Sequence, residues 1–168
     1  MSESILFIGG ARSGKSRLAE ARTLQFGQPA TYIATAEAWD DEMTARIAAH
    51  QAQRAGSAWH TYAAPRDLVA ALRATDSSPR LVDCLTLWLT NIMLAGLDWQ
   101  VEGKTLVAAL AAQSAPVVLV SNEVGMGIVP DNRLARDFRD AAGRLNQWVA
   151  QAADEVHFVA AGLSMRMK

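Results

Sequence analysis

Gly9-Gly10-Ala11-Arg12-Ser13-Gly14-Lys15-Ser16 joins a short apolar run, Ile5-Leu6-Phe7-Ile8, to a segment of helical composition, Arg17-Leu18-Ala19-Glu20-Ala21-Arg22. Glycine, four residues, then Gly-Lys-Ser is the Walker A spacing, and a strand before it with a helix after it is the context that spacing requires. Glycines let the backbone wrap tightly, converging N–H groups meet phosphate oxygens, and the helix N-terminus adds positive potential. Gly9 through Ser16 are therefore read as the phosphate-binding residues for a purine nucleoside triphosphate, ATP or GTP. Lys15 is the catalytic cation on the β and γ oxygens, and Ser16 is a hydroxyl ligand for Mg²⁺. The competing reading is a plain glycine turn with a solvated lysine.

The rest of the chain repeats the same alternation. Strands are predicted at 30–34, 80–83, 117–121 and 156–160, with a shorter one at Trp59-His60-Thr61-Tyr62. Helices are predicted at about 41–54, 67–74, 85–95, 103–113 and 133–152. Uniformly apolar strands separated by helices imply a mostly parallel central sheet with helices on both faces, a three-layer α/β fold of the RecA-like P-loop kind. A length of 168 residues without repeats or a Pro/Gly/Ser-rich linker suits one catalytic domain, 1–168.

A net charge of −1 provides no field to draw the chain onto nucleic acid or an anionic membrane. The apolar runs are too short to cross a bilayer and the N-terminus has no signal-peptide pattern. One cysteine, Cys84, excludes an internal disulfide and suits a reducing compartment. The expectation is a cytoplasmic enzyme with small-molecule substrates.

Asp83 ends the apolar run Leu81-Val82, where a Walker B carboxylate holds Mg²⁺; its alternative is an N-cap for the helix beginning near Leu85. Cys84 is read as a packing residue. In the 41–54 helix, Glu42, Arg46, His50 and Arg54 are spaced four apart and share one stripe, with Met43 and Ile47 on a neighbouring apolar side. Two guanidiniums beside His50 favour a neutral, nucleophilic imidazole able to attack an α-phosphate. By spacing alone, a solvated face with Glu42–Arg46 pairing is the commoner outcome. His60 and His157 lie in predicted strands without such a cationic setting.

Loops at the carboxyl ends of parallel strands bind ligands, which makes Ser121-Asn122-Glu123-Val124-Gly125-Met126-Gly127-Ile128-Val129-Pro130 a second candidate. Glu123 is either a base or metal ligand, or a carboxylate tied to nearby backbone or Arg side chains. Arg133–Asp137, Arg136–Asp140 and Asp140–Arg144 are predicted surface pairs, with Leu134, Phe138 and Leu145 turned inward or toward another subunit.

Taken in order, the phosphate loop, Tyr32-Ile33-Ala34-Thr35-Ala36, Asp41-Glu42-Met43 with Arg46-Ile47 and His50, the segment Asn122–Pro130, and Leu134–Asp140 resemble the bifunctional adenosylcobinamide kinase/adenosylcobinamide-phosphate guanylyltransferase family, from residue 5 to the final lysine. The resemblance implies phosphorylation of the aminopropanol hydroxyl of adenosylcobinamide, a corrinoid, by ATP or GTP, followed by GMP transfer from GTP to that phosphate. It places the GMP carrier on His50, in contrast to the commoner reading of the stripe. It places further nucleotide contacts on Thr35, Ala36, Glu37, Gln51, Ala52, Gln53, Arg54 and Asp83. Family members often carry a glutamate just after the Trp59 strand, a guanine or ribose contact, where this sequence has Ala63. A homotrimer with sites between subunits is also implied, and the exposed apolar residues of 124–130 suit one.

Overall fold

The computed structural model describes residues 3–37, 44, 45, 48, 52, 56 and 58–168. Their elements are β1 (Ser4–Gly9), α1 (Lys15–Gln25), β2 (Ala30–Ala34), β3 (Trp59–Ala63), α2 (Leu68–Ala74), β4 (Arg80–Asp83), α3 (Leu85–Leu94), α4 (Trp99–Ala111), β5 (Val117–Asn122), α5 (Arg133–Ala152), β6 (Glu155–Ala160) and β7 (Leu163–Arg166). The strands form a seven-stranded sheet in the order β3-β2-β4-β5-β1-β6-β7. Strands β1 to β6 are mutually parallel, and β7 alone runs antiparallel, against β6.

The uniform apolarity of the central strands follows from burial on both faces. Ile5, Phe7, Tyr32, Leu81, Val118, Val120 and Val159 point to one side, where they pack with Leu18, Ala19 and Phe26 of α1 and its C-terminal cap. Their alternates Leu6, Ile33, Val82, Val117, Leu119 and Val156 point to the other, onto α2, α3, α4 and α5 through Leu72, Trp88, Leu106 and Leu145 among others. Alternation with period two thus splits each strand between two cores. This is the expected mostly parallel three-layer α/β architecture, and it exposes the carboxyl ends of six strands along one edge.

Three expectations need correction. Strand β7 was unanticipated because all four of its residues are exposed and carry no burial signal. Helix α4 starts at Trp99 rather than near 103, because Asp98 caps it by accepting from the N–H groups of Gln100 and Val101. Of the surface pairs on α5, Arg133–Asp137 forms at 3.5 Å. Arg136 instead donates to the Pro130 and Asp131 carbonyls, and Asp140 meets Arg139. These backbone acceptors lie at the entry to the helix, within reach of Arg136 without ordering a second side chain. Leu145 is buried and Phe138 packs on the core, whereas Leu134 is 62% exposed. Within the predicted 41–54 helix, the described residues Thr44, Ala45, Ala48 and Ala52 are helical and exposed, while His50 lies outside the described residues.

Candidate nucleotide-binding site

Parallel pairing brings the ends of β2, β3, β4, β5 and β1 to one edge. Strand β5 sits between β4 and β1, with Asp83 opposite Val120 and Val120 opposite Phe7, so Asp83 stands level with Phe7, just before the phosphate loop begins at Gly9.

The loop itself is held tightly from below. Gly9 has room for no side chain: a Cβ there would collide with the Val159 carbonyl oxygen and stand 2.7 Å from Ser13 Oγ. Its own carbonyl accepts from the Glu123 N–H at 3.0 Å. Arg12 and Gly14 both take positive φ, 56° and 91°, which curls the loop back on itself. The Ser13 N–H donates to the Gly10 carbonyl at 3.3 Å. Ser13 Oγ is buried without a hydrogen-bond partner among the described residues. Helix α1 then begins at Lys15 with no side-chain cap and no acidic residue in its first turn. Its N-terminal amides are left to an external anion.

Lys15 is 8% exposed, and its Nζ donates to the Gly10 carbonyl at 3.1 Å. Burial pushes its ammonium below the ordinary lysine value, and ionisable neighbours on the β4–α3 junction, Cys84 when deprotonated and Asp83, oppose that shift. Cys84 is itself pushed up to about 11 by burial and by Asp83, so at neutral pH the thiol is uncharged and Asp83 supplies the opposing field. The packing role expected of Cys84 agrees with its 4% exposure.

Asp83 does not cap α3. The cap position is Cys84, with no side-chain cap bond, and Asp83 Oδ2 instead accepts from the Tyr32 hydroxyl at 2.9 Å. The adjoining backbone is clamped from β2: Thr35 Oγ1 donates to the Cys84 carbonyl and accepts from the Cys84 N–H, each at 2.7 Å. The Thr35 N–H donates to the Asp83 carbonyl, and its own carbonyl accepts from Asn91 Nδ2. Thr35 is fully buried and its polar groups are engaged inside the protein, so it fixes the β4–α3 junction. The neighbouring Glu37 accepts from Arg66 at 2.9 Å through Oε1, while its Oε2 is buried with no hydrogen-bond partner among the described residues.

Ala36 and Glu37 follow β2 directly, and Ala63 pairs with Ala34 at the end of β3, so these residues share the strand-end edge with the loop. Ala52 is exposed. Gln51, Gln53 and Arg54, like His50, lie outside the described residues. Glu123 is tied to the backbone, its Oε1 accepting from the Gly125 N–H, which is the second of its two predicted fates. His60 and His157 both sit in strands as expected. His157 stacks on Phe7 with ring centroids 4.8 Å apart and bonds Ser164 and Glu155. Nothing in the local sequence marks Tyr32 or Thr35 as braces, or Gly162 as a contact of the loop. The first two act across about fifty residues of chain, whereas Ala161-Gly162 carried a turn signal that could have marked a hairpin.

Ser16 and Asp83 offer oxygen donors only, and no group of three or more His, Cys, Asp or Glu suited to a metal exists among the described residues. Mg²⁺ shared with phosphate oxygens and water takes only one or two protein oxygens, so this donor set fits it. Among the described residues no helix is long and apolar enough to cross a membrane.

Residues 5–167 match the family model described as cobinamide kinase / cobinamide phosphate guanyltransferase. The chain is 46% identical over 167 residues to the bifunctional adenosylcobalamin biosynthesis protein CobP of Pseudomonas aeruginosa, covering 97% of this chain and 96% of that one. It is 43% identical over 182 residues to the bifunctional adenosylcobalamin biosynthesis protein CobU of Salmonella typhimurium, covering 98% and 99%. Among solved structures, the P4 protein of bacteriophage phi6 with ADP aligns at 14% identity and a TM-score of 0.49, over 98% of this chain and 54% of that one. A loop built for phosphates, a carboxylate one strand away and a family match over nearly the whole length agree: the chain belongs to the cobinamide kinase / cobinamide phosphate guanyltransferase family.

Proposed function

We propose that one nucleotide site at the strand-end edge, built on Gly9–Ser16, serves both reactions of this enzyme within a single catalytic domain, 1–168. In the first, the aminopropanol hydroxyl oxygen of adenosylcobinamide attacks the γ-phosphorus of ATP or GTP. The bond to the β–γ bridging oxygen breaks, the nucleoside diphosphate leaves, and the hydroxyl proton passes to a base. In the second, a His50 ring nitrogen attacks the α-phosphorus of GTP and pyrophosphate leaves. The phosphate oxygen of the corrinoid then displaces the imidazole, giving adenosylcobinamide-GDP and free His50.

The observation that carries this reading is Lys15: a buried ammonium on the Gly10 carbonyl, in the field of Asp83, at a helix start without acidic residues. A desolvated cation next to converging amides stabilises charge gathering on transferring phosphoryl oxygens. Ser16 and Asp83 would hold Mg²⁺, which when bound neutralises the same oxygens. Ala36, Glu37, Gln51, Ala52, Gln53 and Arg54 are assigned to the nucleotide by family resemblance. Thr35 belongs there through its bracing of Asp83–Cys84, and Ala63 marks a base or ribose contact made without the usual carboxylate. The apolar loop after β5 is assigned to a neighbouring subunit of a homotrimer that closes over the corrinoid. A cytoplasmic location suits the single buried thiol and the nucleotide substrates.

The test is transfer from γ-labelled GTP to adenosylcobinamide. Lys15→Ala is expected to lower labelled product about 100-fold or more. A rate unchanged by that substitution in a folded protein would remove the loop from the chemistry.

A further inference from the structure

The described residues hold several features that the two reactions leave unused: a groove of about 420 Å³ beside Lys104 and Trp148, the buried Arg80–Asp76–Gln113 cluster, and the β6–β7 hairpin. The hairpin is the one that reaches the site. Ala160 pairs with Leu163, leaving Ala161 and Gly162 as a two-residue turn with φ of 52° and 77°. Both central residues at positive φ match the hairpin turn whose twist suits paired strands.

The turn abuts the phosphate loop. The Gly162 N–H donates to the Ser13 carbonyl at 2.7 Å, and a Cβ on Gly14 would stand 3.1 Å from Gly162 Cα. The base of the same hairpin is tied down elsewhere: Lys168 Nζ donates to the Ala150, Gln151 and Ala153 carbonyls at the end of α5, and the Met167 N–H donates to the Val156 carbonyl. The tip is thus a fixed donor presented to a loop of glycines.

The Ser13–Gly14 peptide is trans, so a carbonyl held toward Gly162 turns the Gly14 N–H to the opposite side. Without the Gly162 donor, that carbonyl would be free to turn inward and repel an incoming phosphate. We propose that Gly162 is a positioning residue for the phosphate loop, its N–H anchoring the Ser13 carbonyl outward so that the Gly14 N–H faces the triphosphate. The proposal rests on the loop being the triphosphate site. It assigns to the C-terminal hairpin a part in nucleotide affinity, distinct from any part in holding the sheet together.

The hairpin turn can be displaced by stereochemistry alone. Gly162 has space for a side chain, its nearest contact being Arg17 Nη2 at 3.9 Å from an added Cβ, but its φ is 77°. Asparagine tolerates that conformation and valine does not. Calorimetric titration with GTP, well below the thermal midpoint of each variant, is expected to show Gly162→Val binding about tenfold or more weakly. Gly162→Asn, equally bulky, recovers most of that loss. Lys15→Ala serves as the control for the site: if it leaves affinity intact, the reading of the loop fails, whereas loss in Lys15→Ala with unchanged affinity in folded Gly162→Val overturns the hairpin's role alone. Equal weakening by valine and asparagine also overturns it, because bulk and not the turn would then be responsible. Should the valine variant not fold, amide exchange in the wild-type chain decides. Protection at Gly162 that rises with bound GTP supports the anchor, and exchange at the rate of an open amide contradicts it.

Discussion

Cys84 illustrates how the environment of one residue separates packing from chemistry. It adjoins the Asp83 carboxylate and lies 4% exposed, and burial together with Asp83 raises the thiol to about 11. At pH 8 only roughly 0.1% would be thiolate, and the thiolate is the reactive form. Iodoacetamide at pH 8 is expected to alkylate the native protein about 100-fold more slowly than the unfolded chain; comparable rates would contradict the burial. A raised thiol pKa also fixes the direction of alkaline destabilisation. The folded chain keeps the proton longer, so this stability contribution is complete below the thiol's ordinary range and is lost as pH rises toward about 11. Tyr32 and Thr35 act at the same scale, holding Asp83 and Cys84 from a different strand. The sequence marks them through the family resemblance but not as braces, because that role depends on a register between strands that local pattern does not encode.

At the level of elements, the strands buried on both faces were legible as continuous apolar runs, and the helix boundaries were legible where composition changed sharply. Strand β7 was not, since an exposed edge strand has no buried side to impose a pattern. Nor was the start of α4, where Asp98 caps a turn whose first residues are outside the apolar stripe. The loop after β5 was legible as a stretch of exposed apolar residues, and the structure leaves Met126 79%, Ile128 97%, Val129 62% and Leu134 62% exposed. Contiguous apolar residues of this kind mark an interaction surface. Sedimentation is expected to find the wild-type chain trimeric, with Ile128→Glu shifted toward monomer at an unchanged thermal midpoint. A monomeric wild type, or a variant as trimeric as its parent, would contradict that assignment.

For the molecule as a whole, the sheet order is what the proposal of one site for two chemistries rests on. One strand separates β1 from β4, so the phosphate loop and Asp83 face a common edge, with β2 and β3 extending that edge past Ala36, Glu37 and Ala63. The family match defines the two reactions, and the proposal seats their triphosphate on the loop Gly9–Ser16. What distinguishes the proposed mechanism from a simple kinase is His50, whose stripe with Glu42, Arg46 and Arg54 resembles an ordinary solvated face by spacing alone. The most direct measurement is intact-mass and peptide mass spectrometry of the protein after incubation with GTP and Mg²⁺. The mechanism predicts a single, acid-labile GMP adduct located on His50 and absent from His50→Ala. No adduct under turnover conditions, or an adduct that survives His50→Ala, would contradict it.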